Sequence, residues 1–238
     1  MQTTTITATA DGAGGCRLVL RSGLLAPRVV RRSGTAVEVA LLATTATLLG
    51  GDHARVDIRV GSGCRVTIVD VAATVAYDAG GQKSFWDNLI HVEDGGALCW
   101  LAEPLVVADG AHVQRATSAA VASGARLVLR EALMLGRHQG VGGVLDARTR
   151  IDYDGRPAVV EDLVLTPQSR RQRPLIGDHR FVDTVTAVGF RPVSEGPAPT
   201  YRLAVPGAQS RRLSSAAHAS DIPRIARDWA GQALSPES

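Results

Sequence analysis

Val56, Ile58 and Val60 alternate with Arg55, Asp57 and Arg59. A period of two puts the apolar set on one face and the charges on the other, which predicts a half-buried strand. Gly61 and Gly63 then bend the chain, and Val66 and Ile68 continue the alternation on a second strand. The same unit recurs. Val60-Gly61-Ser62-Gly63-Cys64-Arg65-Val66 matches Val92-Glu93-Asp94-Gly95-Gly96-Ala97-Leu98, and both match Val121-Ala122-Ser123-Gly124-Ala125-Arg126-Leu127. The offsets of about thirty residues fall in the range of repeat architectures. Each copy reads as strand, tight glycine turn, strand. A lone hairpin is marginal in water, so the copies have to stack or pair.

The rest of the chain reads in the same way. Residues 1–22 form a strand pair around the turn Asp11–Gly15, and Pro27 keeps Ala26 extended. Val37–Leu49 fits strand or helix; its threonines and the following Gly50-Gly51 favour a strand or a buried loop. Phe85–Val92, Leu105–Val107 and Phe181–Val188 are further strands. Arg148–Tyr153 and Ala158–Leu165 flank Asp154-Gly155, a strong hairpin signal. Pro167–Pro174, with Arg170, Arg171 and Arg173, reads as an exposed loop. A short helix over about 220–233 follows from the spacing of Ile225, Trp229, Ala226 and Ala230, with Ser220 or Asp221 as cap. Residues 235–238 are expected to be disordered. No composition break divides the chain. The expectation is one mainly β domain over 1–238, a β-helix-like stack of short strands with one or two short helices, one of them C-terminal.

Composition sharpens this only in places. Aromatic residues make up 4%, so the core must be built mainly from Val, Leu, Ile and Ala. A formal charge of +3 is too small to imply a nucleic-acid partner. Lys83 is the only lysine among the basic residues. Cys16, Cys64 and Cys99 are an odd number without CxxC spacing, which argues for free thiols and a reducing compartment. Met1–Thr5 lacks a basic n-region and an apolar h-region, and Val37–Leu49 is too short to span a bilayer. A cytoplasmic protein without a membrane partner is expected.

Six histidines are scattered, with no HxH, HExxH or Cys/His cluster at metal-ligand spacing. Nucleophile-elbow, Walker A and Rossmann fingerprints are missing, and Gly140–Gly143 lacks a strand–helix context. The carboxylates are more informative. Asp52 follows two glycines, Glu103 precedes Pro104, Asp109 ends a strand, and Glu161-Asp162 sits in an apolar run. A carboxylate among Val and Leu must be paired or line water, and Arg137 is the expected ion-pair partner.

Several segments together resemble the urease accessory protein family UreD, also called UreH. They are Leu48–Asp52, Ala72–Tyr77, Gln82, Trp100–Pro104, Asp109–Ala111 and Leu135–Arg137. Order and spacing fit over about 48–165; the series is specific where no single motif is. Val75 stands where the family carries a lysine, Val69-Asp70 where it carries Thr-Thr, and Gly140–Gly143 offers no carboxylate after Gly136-Arg137. The resemblance implies a β-helix-like fold and a protein that is not an enzyme. It implies a scaffold for nickel insertion that binds apo-urease and UreF, reaches the GTPase UreG through UreF, and forms a dimer through UreF. No cofactor is tightly held; nickel passes transiently along a water-filled tunnel of spaced, weak oxygen ligands, because a closed His or Cys set would trap it. Asp52, Glu103, Asp109 and Glu161 are the candidate nickel contacts.

Two other readings compete. A basic β protein could bind nucleic acid through Arg28, Arg31, Arg32 and the 170–173 loop, but aromatic stacking platforms are missing there. A β-solenoid acyltransferase or lyase would need a hexapeptide or catalytic signature, which the chain lacks.

Overall fold

The computed structural model describes residues 2–45, 48–78, 80–137, 140–169, 172, 175–193 and 199–235. Two hairpins open the chain: β1 (Gln2–Ala10) with β2 (Cys16–Arg21), and β3 (Leu25–Ser33) with β4 (Ala36–Ala43). The chain then winds through β5 (His53–Val60), β6 (Arg65–Asp70) and β7 (Thr74–Ala76), then through β8 (Ser84–Val92), β9 (Ala97–Leu101) and β10 (Leu105–Val107). A further coil holds β11 (His112–Val121) and β12 (Arg126–Leu135). After the hairpin of β13 (Val144–Tyr153) and β14 (Arg156–Leu165) come β15 (Phe181–Val188), β16 (Thr200–Arg202), β17 (Gly207–Ser214) and α1 (Ile222–Leu234). The result is a β-solenoid of about 4 turns with 57% of its residues in strands.

Two sheets face each other. One runs β14-β13-β11-β8-β5-β1-β2, the other β16-β17-β15-β12-β9-β6-β4-β3. The repeat is a physical stack. Val60 pairs with Val92 and Val92 with Val121 in one sheet; Val66 pairs with Leu98 and Leu98 with Leu127 in the other. The turns stack too. The N–H groups of Glu93, Ala122 and Asp154 each donate, at 2.9 Å, to the carbonyls of Val60, Val92 and Val121 one coil before. Gly63, Gly95 and Gly124 occupy the same left-handed position in successive turns (φ 73°, 68° and 74°).

One expectation is corrected here. The strand-turn-strand units are not hairpins. β5 bonds to β1 and β8, while β6 bonds to β4 and β9, so each glycine turn crosses from one sheet to the other. Asp154-Gly155 does close an antiparallel hairpin, with both residues at positive φ (49° and 71°).

Alternation supplies the core between the sheets: Val56 and Ile58, Ile68, Leu98 and Trp100, Leu127 and Leu129 are all buried. α1 spans Ile222–Leu234, close to the expected helix, and lays Ile225, Ala226, Trp229 and Ala230 on Cys99, Val128, Val185 and Ala208. That cover explains why β15 has no solvent-exposed face: every residue in it is buried. Of the 167–174 loop only part lies within the described residues, and 236–238 lie outside them. No helix among the described residues is long and apolar enough to cross a membrane.

The cysteine reading is also corrected. Cys16 and Cys64 form a disulfide with Cα atoms 6.1 Å apart, and Cys99 is buried and free. The bond ties the first hairpin to the β5–β6 turn, so the odd count carries no argument for a reducing compartment. It closes a separation of 48 residues. The Cys16→Ser variant is therefore expected to lose about 2–4 kcal/mol in urea unfolding under non-reducing conditions, and to match the wild type once reductant is added.

Candidate functional site: a polar row through the core

Because side chains alternate along a strand, any polar residue in phase with core residues points inward. Several do. Asp70 is in phase with Val66 and Ile68; Arg115 and Thr117 with Val113 and Val121; Glu131 with Leu129 and Leu133; Thr149 with Ala147 and Ile151; Glu161 with Leu163 and Leu165. Stacking sets these residues side by side between the sheets.

The inner end lies at a cleft of about 180 Å³ lined by Leu25, Leu41, Ala72, Thr74, Trp86 and Asp70. Asp70 accepts from Trp100 Nε1 and from the Glu103 N–H, both at 3.1 Å. Burial pushes its carboxyl up to about 6, against those two hydrogen bonds and the positive charge of Arg115. Arg115 is 7% exposed, and its guanidinium carbon lies 5.6 Å from the ring centre of Trp86. Trp86 Nε1 donates to Asn88 Oδ1 at 2.7 Å, and Asn88 Nδ2 donates to Thr117 Oγ1 at 3.1 Å.

Glu131 is the hub. Its Oε1 accepts from Thr117 Oγ1 at 2.8 Å and from Arg115 Nη2 at 3.3 Å, and its Oε2 accepts from Thr149 Oγ1 at 3.0 Å. Thr149 is the register partner of Glu161 across β13 and β14. Glu161 is clamped by Arg211 through two contacts of 2.6 Å, and Arg211 Nε also donates to Thr184 Oγ1 at 2.9 Å. This Glu161–Arg211 pair bridges the two sheets and is about one-third exposed, so it forms the outer end of the row. Glu131, Thr149, Glu161 and Arg211 share a space of about 20 Å³, close to what one water occupies.

The sequence-based candidates fall unevenly. Glu161 lies on the row. Glu103 is exposed and borders it through its backbone N–H. Asp52 and Asp109 sit in loops, where they accept from the N–H groups of Leu49 at 2.9 Å and Gly142 at 2.6 Å. Arg137 is not the ion-pair partner expected of it. Its side chain is exposed and its carbonyl accepts from Arg180, while Glu161 pairs with Arg211 and Asp162 with Arg148. Arg115, Glu131 and Thr149 were not singled out from the sequence, and Asp70 was noted only as standing where the family carries threonine, although the phase of all four relative to Val, Leu and Ile marks them. Among the described residues, no group of three or more His, Cys, Asp or Glu could hold a metal ion. Along the row Asp70 is held by an indole and a backbone N–H, Glu131 by two hydroxyls and Arg115, and Glu161 by Arg211.

A second buried ion pair lies on the opposite face of β12. Arg130 Nε and Nη2 donate to the two oxygens of Asp183 at 3.0 and 3.1 Å, and Nη1 donates to the Ala102 carbonyl at 2.8 Å. Asp183 is fully buried.

Comparison with known proteins places this architecture. The family model described as UreD urease accessory protein matches residues 16–225. The chain is 40% identical over 225 residues to urease accessory protein UreD 1 of Streptomyces griseus subsp. griseus, covering 92% of this chain and 88% of that protein. It is 36% identical over 167 residues to urease accessory protein UreD of Streptomyces coelicolor, covering 68% of this chain and 65% of that protein. The UreD protein of Streptomyces avermitilis matches at 36% over 168 residues, or 69% of this chain and 67% of its own length.

Two outcomes follow from the buried charges. Arg130→Met strands a buried carboxylate and is expected to cost about 3–5 kcal/mol in urea unfolding, whereas Arg130→Met/Asp183→Leu recovers most of the loss. Asp70 titrates near 6 when folded and near 3.8 when unfolded, so the folded state keeps a proton that the unfolded state has lost. Its contribution is therefore greatest below about pH 4 and is lost as pH rises through about 6, a fall of about 3 kcal/mol. Asp70→Asn should lack this fall, and parallel pH profiles for variant and wild type would contradict it.

Proposed function

The chain belongs to the UreD family of urease accessory proteins, and from that premise we propose that it is a non-enzymatic scaffold that carries nickel to apo-urease through its interior. Its role lies in urease maturation. In this reading it binds apo-urease on one side and UreF on the other. UreF brings UreG and joins two copies into a dimer, and the assembly works in the cytoplasm. The observation that supports a conducting interior is the polar row: carboxylates and hydroxyls running between the sheets through a core that is otherwise mostly Val, Leu, Ile and Ala.

Burying such groups is costly unless they are satisfied, and an apolar core of the same volume would be at least as stable. Oxygen donors presented singly favour exchange over retention of a divalent ion. Glu161 is proposed as the nickel contact at the outer end and Asp70 at the cleft, with Glu103 beside it. Asp52 and Asp109, both held by backbone N–H groups in loops, are proposed as contacts on approach only.

Co-expression of the tagged chain with urease subunits, UreF and UreG, followed by size exclusion in moderate salt, is expected to give comigration with UreF or apo-urease. Elution alone, soluble and monodisperse, would overturn the scaffold reading. Within an intact complex, Glu161→Ala is expected to lower the nickel content of urease severalfold, whereas Asp52→Ala has a smaller effect.

A further inference from the structure

Arg115 has features that packing does not account for. It is a cation at 7% exposure, and its Nε has no hydrogen-bond partner among the described residues. Its hold on Glu131 is one contact of 3.3 Å through Nη2, whereas Arg211 grips Glu161 with two of 2.6 Å. A guanidinium able to make a two-pronged pair with a carboxylate makes half of one. Its positive charge also favours the ionised form of Asp70, and its guanidinium carbon lies 5.6 Å from the ring centre of Trp86. Thr117 and Thr149 hold both Glu131 oxygens in place without Arg115. The space beside Glu131 admits about one water, so nothing larger passes around the guanidinium.

We infer that Arg115 is the gate of the polar row: its guanidinium occupies Glu131 as a built-in cation, and a divalent cation crosses by taking its place there. Two states alternate, and the second carries one net positive charge (a divalent ion and Arg115 against Glu131 and Asp70), so the ion is held only in passing. With Arg115 on Glu131 the carboxylate is neutralised and no ion is needed. When a divalent ion arrives, the loosely held guanidinium is repelled from Glu131 and remains beside Trp86, with Asp70 as its other carboxylate. Glu131, oriented by its two threonines, supplies an oxygen to the ion. As the ion leaves, Arg115 returns and the site loses its affinity. The gate rests on the maturation reading for the identity of its cargo, nickel.

Purified chain and Ni²⁺ alone test this by equilibrium dialysis. Arg115→Met leaves a buried carboxylate without its cation and is expected to bind Ni²⁺ about tenfold tighter than wild type, the direction set by removing a positive charge beside a cation site. Arg115→Met/Glu131→Gln should return to the wild-type isotherm, and Arg115→Lys should stay near it. If Arg115→Met does not fold, Arg115→Gln, whose amide still donates to Glu131, carries the same comparison. An unchanged isotherm in a folded neutral variant, or a gain that survives Glu131→Gln, would overturn the gate. Because the assay contains no partner, such a result leaves the scaffold reading standing, and failure of complex formation leaves the gate measurable.

Discussion

Hydrogen bonds between successive coils, rather than within them, hold this molecule together. Each glycine arch sends one strand into each sheet, so no coil satisfies its own backbone. β8 needs β5 and β11; β9 needs β6 and β12. The parallel register then puts equivalent positions in columns, and a column of Val60, Val92 and Val121 buries its apolar surface only because its neighbours are present. The ends of the stack are finished differently. The β1–β2 and β3–β4 hairpins close one end, with the Cys16–Cys64 bond pinning it to the first arch. At the other, β13 joins β11 in parallel and turns back as the antiparallel β13–β14 hairpin, β15 and β17 continue the second sheet in antiparallel order, and the Glu161–Arg211 pair bridges the two.

The same register that builds the core also builds the polar row. A single inward carboxylate in one coil would be a buried charge without a partner. Adjacent coils supply the answering groups at fixed lateral spacing: Asn88 next to Thr117, Thr117 and Thr149 flanking Glu131, and Thr149 beside Glu161. The arrangement satisfies every carboxylate on the row and concentrates no three metal-holding groups at one place among the described residues. It suits a borderline cation that must leave again.

Much of the architecture was legible in the chain. The Val-x-x-Gly units gave the coil, Asp154-Gly155 gave a hairpin, and the spacing of Ile225 and Trp229 gave the helix. Alternation reveals which face a residue occupies but not which strand lies beside it, so arches read as hairpins. For the same reason Cys16 and Cys64 read as unpaired, since only the folded first hairpin brings them together. The site was less legible. Asp52 drew notice through two preceding glycines and Asp109 as the end of a strand, yet both carboxylates serve loops, accepting backbone N–H groups there. Arg115 and Glu131 sit in long, plainly amphipathic or apolar runs where the eye reads the apolar residues. Phase relative to Val113 and Leu129 would have turned both inward. Arg211, the true partner of Glu161, is fifty residues away in sequence and meets it only because β14 and β17 face each other across the gap.

The central claim is that nickel travels through this row. The most direct measurement is nickel per active site in urease purified from cells that supply the charge-balanced variant Arg115→Gln/Glu131→Gln in place of the wild-type chain, with the accessory complex verified intact. The account predicts nickel-poor urease despite an unbroken complex. Urease loaded as fully as with the wild type would contradict it and place the nickel route elsewhere.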